Sequence, residues 1–239
     1  MALVNLLRHY PKAQRKMGKP RSKNPLNIEV ARKFGREYFD GTREQGYGGY
    51  KYDGRWVPIA KDILDYFCLK PGMNVLDVGC AKGFLMKDLM DACPGLKVFG
   101  LDISYYAISN CMKDVKGRCI VENAKCLPFS DKSFDAIISI NTLHNLERED
   151  LKIALKEIER VSKGKSFVQL DAYQNDEELE VFKDWVLTAK TYLKPHEWEQ
   201  LFQECGYTGD YFWTILSPDP KWTDFSSDKK TAPVWNTTA

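Results

Sequence analysis

A buried strand that leads through a turn of small residues into a helix constrains the fold of this chain more than any other feature. Residues 74–84, NVLDVGCAKGF, contain an apolar run interrupted by Asp77 and followed by Gly79, Ala81 and Gly83. Small residues at alternate positions let a backbone turn tightly and approach a ligand closely. This stretch therefore predicts a strand, a ligand-binding turn and a helix, in that order.

Apolar strand patterns alternate with helical patterns over the rest of the chain. The strands are predicted at residues 74–80, 97–104, 119–124, 134–141, 166–173 and 210–217. Strands that alternate with helices build a parallel sheet that is covered on both faces. The predicted fold class is therefore α/β.

Four segments are predicted along the chain. Residues 1–27 form a basic N-terminal arm, in which residues 8–23 carry lysine and arginine but no acid. This arm is interpreted as solvated or, alternatively, as docking to phosphate or to a partner. Residues 28–55 contain a short helix and a loop rich in glycine and tyrosine. Residues 56–216 form the α/β domain, and residues 217–239 form a C-terminal tail.

Composition excludes several classes of protein. A net charge of +2 over 239 residues argues against a dedicated nucleic-acid binder. No apolar run approaches the roughly 18 residues of a membrane span, and the first seven residues lack a signal-peptide pattern. The seven cysteines form no C-x-x-C pair, which argues against a zinc site, and no metal is predicted. An odd number of thiols without a secretory signal favours a reducing, cytoplasmic location.

An acid at the end of the second strand extends the ligand-binding pattern. In dinucleotide folds, an acid such as Asp102, about 20 residues beyond the glycines, binds ribose hydroxyls. The glycine spacing is Asp-x-Gly-x-Ala-x-Gly rather than Gly-x-Gly-x-x-Gly, which disfavours a nicotinamide-dependent enzyme. The Asp77 carboxylate is unfavourable for a pyrophosphate but suits a ligand that carries ammonium and sulfonium charges. The pattern favours an adenosine-type ligand with positive charge.

Residues 56–216 resemble the class I S-adenosylmethionine-dependent methyltransferases. The resemblance is carried by the glycine motif and by residues 123–147, NAKCLPFSDKSFDAIISINTLHNLE, which follow in the family's order. Ala81 stands where the family more often has glycine. The resemblance implies a Rossmann-like, seven-stranded, mostly parallel sheet with helices on both faces and an N-terminal lid. It also implies S-adenosylmethionine as the cofactor and S-adenosylhomocysteine as the product.

The resemblance also implies which residues bind the cofactor. Asp102 corresponds to the acid on the ribose hydroxyls and Ile103 to the apolar residue beside the adenine. Asn123 and Ala124 lie where the family reads the adenine, and Asn141 lies near the methionine portion. The full set of candidate cofactor residues is Asp77, Gly79, Cys80, Ala81, Gly83, Asp102, Ile103, Asn123, Ala124 and Asn141.

The stretch GYGGYKYDGRW, residues 46–56, is predicted to form a lid over the cofactor and the methyl acceptor. A glycine-rich loop can close, and tyrosine rings favour a cationic sulfonium. Alternatively, these rings only fix the N-terminal helix to the sheet. The candidate lid and substrate residues are Tyr38, Tyr47, Tyr50, Tyr52 and Arg55.

Two residues are candidates for a general base, which is needed only if the acceptor loses a proton. His144 follows the fourth predicted strand, and histidine titrates near neutral pH. Asp171 lies at the end of the fifth strand, at the carboxyl edge where ligands bind. A purely structural role for His144 is the alternative.

The favoured acceptor is an oxygen or nitrogen of a small molecule, such as a metabolite, sugar derivative or natural-product intermediate. One alternative is an RNA or protein methyltransferase that docks through residues 8–23. Another is a cofactor-binding scaffold without transfer activity. Aromatic residues in the arm and tail are compatible with a homodimer and equally with packing on their own core.

Overall fold

The apolar runs of the sequence form six parallel strands in the computed structural model, which describes residues 1–10 and 24–215. The strands, β1 to β6, are Asn74–Val78, Lys97–Asp102, Cys119–Val121, Ala136–Ile140, Ser166–Ala172 and Asp210–Ile215. The α-helices in the described ranges, α1 to α8, are Pro25–Arg32, Arg36–Asp40, Val57–Phe67, Phe84–Ala92, Tyr105–Ser109, Arg148–Val161, Asp176–Trp185 and Pro195–Cys205.

The order of strands in the sheet creates the crevice that holds the site. The order is β3-β2-β1-β4-β5-β6, and each neighbouring pair is parallel. The chain builds outward from β1 to β3 and then returns to place β4 on the other side of β1. In open α/β sheets, ligands bind at the carboxyl ends of the strands where the order reverses in this way.

Helices bury both faces of the sheet in two hydrophobic cores. Because side chains alternate along a strand, the adjacent residues Val75 and Leu76 contribute to opposite cores. Helices α3 and α4 cover the Val75 face, and helices α6 and α8 cover the Leu76 face. The two covered faces leave the carboxyl edge of the sheet as the place for a ligand.

The first residues of the chain pack onto the far edge of the sheet. The Tyr211 N–H donates to the carbonyl of Ala2 at 3.0 Å, and the Val4 N–H donates to the carbonyl of Tyr211 at 2.9 Å. The Leu6 side chain is buried in the α3–α4 core. Residues 1–10 therefore belong to the fold, and residues 24–27 of the predicted arm form the N-cap and the start of α1. Residues 11–23 of that arm and the tail at 217–239 lie outside the described residues.

Two details differ from the sequence predictions. The Rossmann-like α/β sheet is confirmed, with six strands rather than seven in the described part of the chain. In place of the one short helix predicted within residues 28–55, the chain forms α1 and α2, which are separated at Phe34, whose φ is 48°. The break turns the Phe34 carbonyl toward Ser104, whose hydroxyl donates to it at 2.5 Å. This contact is made across 70 residues, so the helical period does not reveal it.

None of the helices in residues 1–10 and 24–215 is long and apolar enough to cross a membrane.

Candidate active site

A cavity of about 1070 Å³ lies at the carboxyl ends of β1, β2, β4 and β5. Its floor is the strand ends and the turn after β1, and its roof comes from residues before α3. Typical ligand pockets have volumes of roughly 300–1,000 Å³. The cavity is therefore large enough for two ligands side by side.

The glycine turn forms the floor because its backbone is pressed against two neighbouring strand ends. Gly79 has a φ of 88°, and its N–H and that of Cys80 both donate to the carbonyl of Leu101. A Cβ at Gly79 would overlap the side chain of Thr142, which follows β4. The absence of a side chain at this position thus lets the turn approach the end of β4.

Asp102, at the end of β2, is fixed by the backbone around it. One carboxylate oxygen accepts the N–H of Ala81 at 2.8 Å, and the other accepts the N–H of Ser104 at 2.8 Å. Burial raises the pKa of Asp102, and these two hydrogen bonds oppose that rise. The carboxylate lines the cavity in a fixed position, which suits the recognition of paired hydroxyls.

Asp77, near the end of β1, is a buried carboxylate whose negative charge a bound cation would stabilise. Its side chain lines the cavity, is 4% exposed, and makes no hydrogen bond or ion pair within the described residues. Burial, together with the nearby Asp102 carboxylate, raises the pKa of Asp77 to about 7. A buried charge is unfavourable unless it is paired. The ammonium and sulfonium charges of S-adenosylmethionine fit this site.

The predicted adenine end is more open. Ile103 lines the cavity and is 50% exposed, and Ala124 lines it from a buried position. The side-chain oxygen of Asn123 accepts the N–H of Lys125 at 3.0 Å, which holds Asn123 in a local turn at the cavity wall. Asn141 also lines the cavity, with a φ of 54°.

The lid loop, residues 41–55, lies over the glycine turn. The Tyr50 ring stacks on Phe84 at a centroid distance of 4.7 Å and an interplanar angle of 10°. Tyr47 lies 4.5 Å from Tyr50 between centroids, and Tyr38 packs edge-on against Tyr47 at 5.1 Å. These three tyrosines line the cavity, so α2 and the lid loop together bring aromatic rings to the cavity that holds the two carboxylates.

Two of the candidate residues lie outside the cavity wall. The Tyr52 hydroxyl donates to Asp88 of α4 at 2.5 Å, and this contact fastens the loop to the outside of the helix. Gly83 precedes α4 with a φ of 76°, and a Cβ there would press on Val115. Both residues therefore support the site without lining it.

Arg55 lines the cavity together with a residue that sequence reasoning did not place there. Its guanidinium forms a salt bridge with Asp53 at 2.5 Å and donates to the Tyr10 hydroxyl at 3.1 Å. The Tyr10 ring packs edge-on against Trp56 at 5.3 Å. No local pattern links residue 10 to the site, because its position depends on the packing of residues 1–10 against the sheet.

His144 and Asp171 meet at the cavity wall opposite the glycine turn. The Asp171 N–H donates to His144 Nδ1 at 3.4 Å, and His144 Nε2 lies 3.8 Å from Asp171 Oδ2. Burial lowers the pKa of His144 to about 4, so the ring is neutral at pH 7. The sequence predicts that this histidine titrates near neutral pH, and the lowered pKa contradicts that expectation. These contacts assign the proton of the neutral ring to Nε2, which leaves no lone pair for a substrate.

The cavity continues past the lid loop toward a basic, aromatic end. The Arg43 guanidinium lies 5.3 Å from the ring centroid of Trp185 and donates to the carbonyls of Gly46 and Tyr47. Arg32, which donates to the carbonyl of Ala189, and Lys190, which pairs with Glu147 at 3.3 Å, also line the cavity. This second region leaves room in the cavity for a second ligand.

Sequence reasoning also missed a charged pair beneath the lid loop. Lys82, inside the glycine motif, pairs with Asp40, the last residue of α2. The available signal was a lysine within an otherwise small and apolar turn. Its partner, 42 residues away, has no sequence signature.

Comparison with known proteins finds a family that matches the core of the chain. Residues 76–169 match a family described as "Methyltransferase domain". An uncharacterized protein of Methanocaldococcus jannaschii is 34% identical over 128 residues, which cover 54% of this chain and 47% of that protein. A tRNA (carboxymethyluridine(34)-5-O)-methyltransferase of Arabidopsis thaliana is 31% identical over 146 residues, or 60% of this chain and 34% of that protein.

A solved structure has the same fold. It is phosphoethanolamine N-methyltransferase 2 of Haemonchus contortus, determined with phosphomonomethylethanolamine and S-adenosylhomocysteine. The TM-score is 0.55 at 19% identity, and the match covers 73% of this chain and 44% of that one. The chain thus spans less than half the length of these relatives.

Proposed function

Because this chain contains a class I S-adenosylmethionine-dependent methyltransferase domain, we propose that it transfers a methyl group to an oxygen or nitrogen of a small-molecule acceptor. S-adenosylmethionine is the cofactor. It supplies, when bound, a methyl group on a positively charged sulfur.

The unpartnered, buried carboxylate of Asp77 is the observation that carries the proposal. Asp77 and Asp102 face a cavity whose opposite wall is formed by tyrosine rings. Carboxylates and aromatic faces both favour a cation. Asp102, held by two backbone N–H groups, is the acid proposed to bind the ribose hydroxyls.

The chain's main contribution to the reaction is alignment. Methyl transfer is an in-line displacement, and positioning of two reactants contributes roughly 7–11 kcal/mol in favourable cases. The cavity has room for an acceptor beside the proposed cofactor site, and the lid loop over the glycine turn is proposed to shield the reacting groups from water. The basic, aromatic end at Arg43 and Trp185 is the proposed acceptor region.

Asp171 is the proposed proton acceptor, and His144 is the proposed positioning residue beside it. Both ring nitrogens of His144 face Asp171, so the ring orients that residue rather than the substrate. The Asp171 side chain lines the cavity at the end of β5. A carboxylate in this position can receive the proton of an acceptor hydroxyl or ammonium group.

Replacing Asp171 by asparagine should lower kcat by at least about 100-fold, the usual contribution of a positioned base. His144→Gln should lower kcat by about tenfold, because the carboxylate remains but is less well oriented. Neither change should alter the affinity for S-adenosylhomocysteine. The measurement is a pH–rate profile for each variant with an acceptor found by radiolabel screening of small molecules. A larger loss of kcat in His144→Gln than in Asp171→Asn would reverse the two roles.

Replacing Asp102 by alanine should weaken binding of S-adenosylhomocysteine by roughly 100-fold, since two hydrogen bonds to a charged group are lost. Calorimetric titration of the wild type with S-adenosylmethionine, S-adenosylhomocysteine and NADH is the direct test. We expect micromolar binding of the first two and none of NADH.

Asp91→Ala is the matched control for that titration. Asp91 is an exposed acid on α4, outside the cavity, and its loss should leave binding unchanged. A wild type that binds neither sulfur nucleoside would refute the proposed function. Equal binding by Asp102→Ala and the wild type would refute the proposed role of Asp102.

An RNA acceptor is the second candidate, favoured by the similarity to a protein named as a tRNA methyltransferase. Deleting residues 1–27 does not test it cleanly, because Leu6 is in the core and Tyr10 lines the cavity. Changing Lys12, Arg15, Lys16 and Lys19 to glutamine leaves those contacts in place. If RNA is the acceptor, transfer to total tRNA is lost in this variant; if it is a small molecule, no tRNA is labelled by the wild type.

A further inference from the structure

We propose that Lys82 and Asp40 are positioning residues that hold the lid loop closed over the glycine turn. Neither residue belongs to the family's glycine spacing or to the predicted site. The inference rests on the proposed function, since the glycine turn is the proposed cofactor floor. It adds a device that couples cofactor affinity to closure of the lid loop.

The Lys82 side chain turns back from the glycine turn toward the lid loop. Its Nζ lies 2.6 Å from Asp40 Oδ2 and donates to the carbonyl of Tyr50 at 3.1 Å. Lys82 is only 8% exposed. Because lysine is almost never buried without a partner, these two contacts account for its buried position. The Lys82 ammonium group thus binds Asp40, just before the lid loop, and Tyr50 within it.

Asp40 gathers contacts from three parts of the chain. Besides Lys82, it accepts the Tyr106 hydroxyl of α5 at 2.7 Å and the Tyr50 N–H at 3.0 Å. Burial by itself raises the pKa of Asp40, but the hydrogen bonds from Lys82, Tyr106 and Tyr50 outweigh it and hold the pKa below its usual value. Asp40 is therefore an ionised junction between α2, the lid loop, the glycine turn and α5.

The two residues fix Tyr50 on both sides of its peptide backbone. Asp40 holds its N–H, and Lys82 holds its carbonyl. The ring is thereby kept against Phe84, above Asp77 and Asp102. Because Ala81 and Gly83 flank Lys82, a movement of the glycine turn is transmitted directly to the lid loop.

The Lys82–Asp40 pair is better explained by its effect on the position of the lid loop than by a contribution to the free energy of unfolding. The intact pair contributes little net stability, yet loss of Asp40 leaves the buried Lys82 charge without its counter-ion, and loss of Lys82 removes the donor to the Tyr50 carbonyl. Each single change is therefore expected to open the loop, whereas removal of both charges should be tolerated better. If the double change costs less than the sum of the two single changes, Lys82 and Asp40 act as one junction and not as two independent contacts.

The test compares Lys82→Met with the wild type by two readouts. Binding of S-adenosylhomocysteine should weaken at least tenfold, mainly through faster dissociation measured by stopped flow. In the ligand-free protein, trypsin should cleave after the exposed Lys51 at least tenfold faster. Lys165→Met is the matched control, because Lys165 also donates to a backbone carbonyl, that of Phe67, away from the cavity.

Asp40→Asn and the double variant complete the cycle. The double variant should lose less affinity and less protection than the sum of the single variants. Additive losses, or wild-type dissociation and cleavage rates in Lys82→Met, would overturn the proposal. If Lys82→Met fails to fold, Asp40→Asn gives the same two readouts, and wild-type dissociation and cleavage rates in it would overturn the proposal. If the wild type does not bind S-adenosylhomocysteine, the proposed function fails, but the tryptic rates still decide the role of the pair.

Discussion

Replacement of Asp77 by asparagine is expected to stabilise the ligand-free protein and to weaken cofactor binding in the same variant. The carboxylate is buried without a partner in the described residues, and its pKa is raised to about 7. An unfolded aspartate has a pKa of about 3.9, and each pKa unit corresponds to about 1.4 kcal/mol. Above pH 7, the variant should therefore gain on the order of 4 kcal/mol in free energy of unfolding.

The pH dependence gives the sign of this effect. Between pH 4 and 7 the native state binds a proton at Asp77 that the unfolded state has released, so the Asp77 contribution to stability falls as pH rises. His144 acts in the opposite direction: its pKa is lowered to about 4, so its contribution is complete above about pH 6.5 and is lost as pH falls toward 4. Subtracting the wild-type curve from the variant curve cancels the His144 contribution.

Urea unfolding of both proteins at pH 4 and pH 8 measures the gain. The difference should be near zero at pH 4 and reach its full value at pH 8. Titration with S-adenosylmethionine at pH 8 should show roughly 10- to 100-fold weaker binding by the variant, as expected for loss of a charged contact. A variant that is less stable than the wild type at pH 8 would contradict the assignment of Asp77 as an unpaired buried charge.

Gly79→Ala should destabilise the protein by about 4 kcal/mol. An alanine at a positive φ such as the 88° of Gly79 costs roughly 1–2 kcal/mol. Overpacking adds about 1–3 kcal/mol, since the new Cβ would lie 2.7 Å from Thr142 Cβ and still closer to the rest of that side chain. The measurement is the free energy of unfolding in urea.

Gly72→Ala separates the two causes. Gly72 has a φ of 89°, but a Cβ there meets no atom within 4 Å. It should lose only the conformational part, about 1–2 kcal/mol. Equal losses at the two glycines would mean that the contact between the turn and Thr142 does not constrain the site.

The sequence predicted the parts of the site that depend on local order along the chain. Asp77, Gly79 and Asp102 were found because each lies at a fixed offset from the end of a strand, and parallel strands bring those ends together. Tyr50 was proposed from composition alone, and the structure brings its ring to the cavity.

The missed features depend on contacts between distant segments. Lys82 and Asp40 are 42 residues apart, and Tyr10 reaches the cavity only because residues 2–4 pair with β6. Tyr52 was assigned to the site from its neighbours, but its hydroxyl binds Asp88 outside the cavity. Hydrophobic period and glycine spacing carry no information about which distant polar groups will meet.

Attachment of the first residues to β6 sets an order of events during synthesis. The Ala2 N–H bonds to the side chain of Asp210, 208 residues later in the chain. At roughly 5–20 residues per second, the ribosome needs about 10–40 s to make that stretch. Strands β1 to β5 have been synthesised before β6 exists. Tyr10 therefore joins the cavity late, and the nascent protein contains the glycine turn well before the cavity wall that Tyr10 completes.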